Sequence, residues 1–64
     1  MPEIGQAYEV RTDQGPIAMT LIEIAGGLYT LEGNSGEGYI ETDWMDFMDQ
    51  TALGRITRIY EQEG

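Results

Sequence analysis

The chain has no cysteine, no histidine and no lysine. Without cysteine, no disulfide and no thiolate-held metal staples the fold. Without histidine, the commonest metal ligand and the usual general base near neutral pH are missing. Ser35 therefore has neither a histidine nor a lysine to activate it, which excludes a hydrolase triad. No apolar run approaches the roughly 20 residues that span a bilayer. The opening residues, Met1-Pro2-Glu3-Ile4-Gly5, lack the basic and apolar regions of a signal peptide. A soluble, cytoplasmic protein is the expectation. At 64 residues the chain forms one domain, residues 1–64. A domain of that size buries only about 60% of its unfolded surface. Small domains without staples often lean on a partner or on a second copy.

What the chain has in abundance is acid. Twelve Asp and Glu face three arginines, Arg11, Arg55 and Arg58, for a net charge of −9. Mutual repulsion of the carboxylates costs stability in the folded state. Contacts to phosphates or to an anionic membrane need Lys and Arg, so neither nucleic acid nor a membrane is expected as a direct partner. The complementary partner is a basic protein surface. The plainer explanation is that acidity keeps the chain soluble.

Alternation of apolar residues marks strands along the first two thirds. Tyr8 and Val10 share a face over residues 7–11. Ile17, Met19 and Leu21 share a face over residues 17–24, but Ile22 and Ile24 fall on the other. Such a change of parity within one strand predicts a bulge or a sharp bend. Residues 28–32 and 39–42 supply two more strands. Thr12-Asp13-Gln14-Gly15-Pro16 and Ala25-Gly26-Gly27 read as tight turns, the second with a hairpin signal. Residues 33–38, with three glycines, read as a flexible polar loop. Residues 55–60 suit either a closing strand or a helical turn. The strand is preferred because Ile56, Thr57, Ile59 and Tyr60 have β-type side chains.

Between them lies one amphipathic stretch, Thr42 to Gln50. Wound as a helix, it puts Trp44, Phe47 and Met48 within roughly 100° of arc, and Asp43, Asp46 and Asp49 within roughly 120° on the far side. The apolar trio is expected to anchor the element to the core. Thr42 or Asp43 is placed to cap it. Asp49 sits towards its C-terminal end, where an acid is mildly unfavourable. The expected fold is mainly β: a small barrel or twisted antiparallel sheet of about five strands, with one short helix at about 43–52 before the last strand.

No motif carries catalysis, and no enzyme is expected. Asp43, Asp46 and Asp49 could offer oxygen ligands to Ca²⁺ or Mg²⁺, but a rigid helix face does not wrap an ion. In the loop between Glu32 and Glu41, Glu37 stands where a calcium-binding loop requires Gly. No metal and no cofactor are therefore expected. Gly33, Gly36 and Gly38 have no lysine beside them to make a phosphate cradle. The remaining feature is the window Glu32 to Asp49. It holds Glu32, Glu37, Glu41, Asp43, Asp46 and Asp49 and no basic residue. Glu37, Glu41, Asp43, Asp46 and Asp49 are the expected partner-binding residues.

Two resemblances follow from these features. In element order, over residues 7–60, the chain resembles an SH3-like small barrel. In size, missing lysine and the acid-rich window 32–49, it is similar to phage-encoded inhibitors that mask nucleic-acid-binding machinery, including anti-CRISPR proteins and DNA mimics. The second resemblance implies an inhibitor that occupies the basic nucleic-acid-binding surface of a partner complex. The alternative is an SH3-like structural or adaptor module, homo-oligomeric, whose acidity is incidental.

Overall fold

The computed structural model describes residues 2–59, with side chains described through Thr57. Five antiparallel strands form one sheet, and a single helix precedes the last strand. The elements are β1 (Ala7–Thr12), β2 (Gly15–Ala25), β3 (Leu28–Gly33), β4 (Tyr39–Asp43), α1 (Trp44–Ala52) and β5 (Ile56–Ile59). Their order across the sheet is β4-β3-β2-β1-β5, so consecutive strands are neighbours until α1 carries the chain over to pair β5 with β1. The ambiguous stretch 55–60 thus closes the sheet as a strand through Ile59. Tyr60 and the acidic tail expected after it lie outside the described residues.

The first hairpin is tighter than the sequence suggests. Asp13 and Gln14 alone make the turn, and Pro16 lies inside β2, opposite Arg11. Proline is tolerated there because of the ladder's alternation. The Arg11 N–H donates to the Arg55 carbonyl at 2.8 Å, so Arg11 bonds the residue leading into β5 and leaves Pro16 at a non-hydrogen-bonded site of the β1–β2 pair. The Thr12 hydroxyl closes the turn, donating to the Gly15 carbonyl at 2.8 Å and accepting from the Gln14 N–H at 3.1 Å. The second turn is Gly26-Gly27, with φ of 59° and 79°. Positive φ at both central residues is what a right-twisted two-residue hairpin needs.

Loop 34–38 is tied down rather than loose. The Gly33 N–H donates to the Gly38 carbonyl at 2.7 Å and the Asn34 N–H to the Ala18 carbonyl at 2.9 Å. The Thr20 hydroxyl donates to Asn34 Oδ1 at 2.6 Å. Gly33 is buried beneath the Glu37 side chain, whose Cβ would lie 2.8 Å from any Cβ added at Gly33.

The parity change in β2 is a bulge. Leu21 pairs with Leu31 and Glu23 with Thr30, so Ile22 is the extra residue. Before it, Ile17, Met19 and Leu21 face inward with Tyr8 and Val10. After it, Ile24 shares the inner face with Tyr29. The bulge thus turns an apparent patterning error into one continuous inner face.

α1 lies across that inner face, packed on β3, β4 and β5. The core is Tyr8, Val10, Met19, Leu21, Leu31, Phe47 and Ile56, with Ile17 and Tyr29 packed against it. Leu21 and Leu31 are completely buried. Each such side chain contributes about 1.5–3 kcal/mol relative to exposure. The helix anchor differs from expectation. Phe47 is 3% exposed, but Trp44 is 38% and Met48 47% exposed. The buried stripe is centred on Phe47 because two tyrosine rings meet it there. Tyr8 meets it edge-on at 5.5 Å, and Tyr29 stacks on it at 5.3 Å. Trp44 is held at the flank by Tyr29, ring centroids 5.5 Å apart.

Candidate functional site

Strand alternation decides where the carboxylates go. With Tyr8, Val10, Leu21 and Leu31 inward, the residues between them turn to the other side of the sheet. Glu9 on β1, Glu23 on β2, Glu32 on β3, and Glu41 and Asp43 on β4 all project from this outer face. Pairing aligns them. Glu41 and Glu23 flank Thr30 in one row, and Glu32 stands between Thr20 and Tyr39 in the next. Neighbouring strands lie about 4.8 Å apart, and same-face residues about 6.7 Å apart along a strand. Among the described residues none of these carboxylates has an ion-pair partner. Among the described side chains, the outward-facing arginine of the sheet is Arg11, at the far end of β1 opposite Pro16. With Arg55 it lines an open cleft of about 600 Å³ beside the end of α1. Among the described side chains the outer face is therefore acidic along β3 and β4, and its arginine lies at that remote end.

The five expected partner-binding residues divide between surfaces. Glu41 and Asp43 belong to the outer face. Asp46 and Asp49 are exposed on α1, which packs on the inner face, and so lie on the other side of the sheet. Glu37 sits in loop 34–38, where its Oε1 accepts the Ser35 N–H at 2.8 Å. Glu37 is thus already engaged in closing its own loop over Gly33. Glu9 and Glu23 belong to the face but lie outside the acid-rich window. Their signal was the strand alternation itself, since each stands one residue from an apolar inward neighbour.

Asp43 has a second role. Its Oδ1 accepts the Asp46 N–H at 2.8 Å, and its extended backbone (φ −79°, ψ 171°) makes it the N-cap of α1. The two roles separate by mutation. Asp43→Ala is expected to lower stability by about 1 kcal/mol, whereas Asp43→Asn, which caps equally well, changes it by only a few tenths. Urea unfolding of both variants checks this, and equal losses would contradict the capping role. Asp49 has no such local use. Its carbonyl accepts the Leu53 N–H at 3.0 Å, but no basic residue lies in the last turn of α1 to offset its charge.

Among the described residues no group of three or more acids is arranged to hold a metal ion. Among them, too, no helix is long and apolar enough to cross a membrane. No protein-family model, curated protein or solved structure matches the chain.

Proposed function

We propose that this is a cytoplasmic, non-enzymatic protein-binding domain whose acidic sheet face docks on a basic surface of a partner. The kind of surface it suits is one that otherwise holds nucleic acid, so that docking inhibits the partner, as anti-CRISPR-like inhibitors do. One observation carries this reading. Glu9, Glu23, Glu32, Glu41 and Asp43 project to one side from four adjacent strands, unneutralised by any ion pair among the described residues. A solubility function needs charge but not its gathering on one rigid face. Gathered charge speeds encounter with a basic partner and competes with phosphates for it.

The test is reversal of the face. The variant Glu23→Lys/Glu32→Lys/Glu41→Lys replaces side chains that already point to solvent, so the circular dichroism spectrum should be retained. Its yield of partner captured from host lysate should fall at least tenfold against the unaltered chain. Capture by the unaltered chain should weaken as salt rises and be displaced by added nucleic acid. Equal capture by the variant, or indifference to both salt and nucleic acid, would remove the reading. The pair Asp46→Lys/Asp49→Lys tests the helix side separately. Met45, Met48 and Leu53, all exposed on or just after α1, favour the adaptor reading instead. That reading predicts loss of capture on changing these three and little response to salt.

A further inference from the structure

β4 is an end of the sheet, and its free side is unusually open. The Gly33 to Gly38 hydrogen bond fixes the alternation along β3 and β4. Ile40 and Thr42 exchange their backbone bonds with Leu31 and Tyr29. Tyr39 and Glu41 consequently turn their N–H and C=O groups away from the sheet. Among the described residues nothing bonds those four groups. Natural edges are commonly blunted by lysine, proline, a bulge or a covering segment. β4 has no lysine or proline, pairs with β3 without a register shift, and presents Tyr39 at 66% exposure beside a partly exposed Ile40.

We propose that the β4 edge takes up an extended segment of the basic partner as an added strand; this rests on the functional reading above and specifies its mode. The backbone groups of Tyr39 and Glu41 supply the hydrogen bonds, and the two faces of the sheet supply the specificity. Partner residues opposite Tyr39, Glu41 and Asp43 fall on the acidic face. Arginine or lysine there meets the carboxylates, and the Tyr39 ring offers a cation–π contact. Partner residues opposite Ile40 and Thr42 fall on the inner face. There Ile40 and Trp44 are both partly exposed, and Trp44 lies on Tyr29, the residue paired with Thr42. The recognised segment therefore alternates basic and apolar residues. A second copy of this chain is the wrong occupant. It would bring another charge of −9, and antiparallel edge pairing would set its outer-face carboxylates on the same side of the joined sheet.

The probe is a labelled, end-blocked peptide of alternating arginine and valine. The control peptide has the same composition with the arginines in one block. Tyr39→Pro removes one outward N–H, and with it the Tyr39 ring, without changing charge, at an edge position proline tolerates; Tyr39→Ala removes the ring alone and is the reference for it. By fluorescence anisotropy the alternating peptide should bind at least tenfold tighter than the block peptide. Relative to Tyr39→Ala, Tyr39→Pro should weaken it about tenfold, the scale of one or two lost hydrogen bonds. Hydrogen exchange at the Glu41 amide of the unaltered chain should slow on adding the peptide, a readout independent of how Tyr39→Pro folds. An unprotected Glu41 amide, or equal binding of the two peptides, overturns the inference. If binding is at the same time lost in Glu23→Lys/Glu32→Lys/Glu41→Lys, the acidic docking face stands and only the added strand falls. If that variant also binds unchanged, both fall. A β4-to-β4 dimer of the free chain in sedimentation would overturn the choice of occupant.

Discussion

Phe47→Ala is expected to remove from about half to all of the protein's stability at 25 °C. Removing a buried phenylalanine costs about 3–5 kcal/mol. At roughly 0.05–0.15 kcal/mol per residue, a domain of this length has about 3–10 kcal/mol in total. The upper half of the cost applies here for a structural reason. Phe47 is the buried residue of α1, and it holds the helix by two rings at once, Tyr8 on its edge and Tyr29 on its face. Such aromatic pairs add about 0.5–1.5 kcal/mol beyond the area they bury. Without Phe47 the helix keeps Trp44 and Met48, each more than a third exposed. The single tryptophan reports the result directly, because Trp44 rests on Tyr29 and loses that contact when the helix detaches. Urea unfolding followed by Trp44 fluorescence measures the loss. A cost under about 1 kcal/mol would mean that the helix is not pinned through Phe47.

The second large effect contrasts two neighbours in β2. Leu21→Ala should cost about 2–5 kcal/mol, because Leu21 is completely buried against Leu31. Ile22→Ala should cost about 1 kcal/mol or less, although the deleted volume is similar, because Ile22 is the bulge residue and 43% exposed. In a regular strand this contrast would mean only inside against outside. It tests which of the two neighbours faces the core; the bulge itself shows at Ile24, which two residues on returns to the inner face that Leu21 occupies. Comparable losses at the two positions would place Ile22 in the core and contradict its exposed position.

Much of the fold was legible because its signals are local. The Gly26-Gly27 turn and the strand periods act over a few residues, and the parity change at Ile22 could be read before any partner strand was known. The helix and its capping Asp43 were visible for the same reason. What was not legible depended on contacts distant in sequence. Helical periodicity cannot tell which part of a 100° apolar arc meets the sheet. That was settled by Tyr8 and Tyr29, whose rings select Phe47 over Trp44 and Met48. Pro16 within a strand likewise depends on the bond from Arg11 to Arg55, across the whole chain. The acidic face was half visible. Counting charges along the chain gathers Glu37 with Asp49, yet the sheet gathers Glu9 with Glu23 and Glu41, because a folded surface is assembled across strands.

The absence of ion pairs among the described residues has a consequence for the solvent. Salt usually weakens attractions and repulsions together, but at a net charge of −9 repulsion dominates what is screened. At 0.01 M ionic strength the screening length is about 30 Å, close to the molecule's longest extent of 34 Å. Every carboxylate then feels nearly every other. At 0.1 M it is about 10 Å, and only neighbours count. Thermal stability of the free domain should therefore climb with sodium chloride, as circular dichroism melts can show. Under the proposed docking, a basic partner would do the same work as the added cations, but at one face and in a fixed geometry. The partner would thus act as a structured counterion, raising the melting temperature most in the dilute media where the unbound domain is weakest.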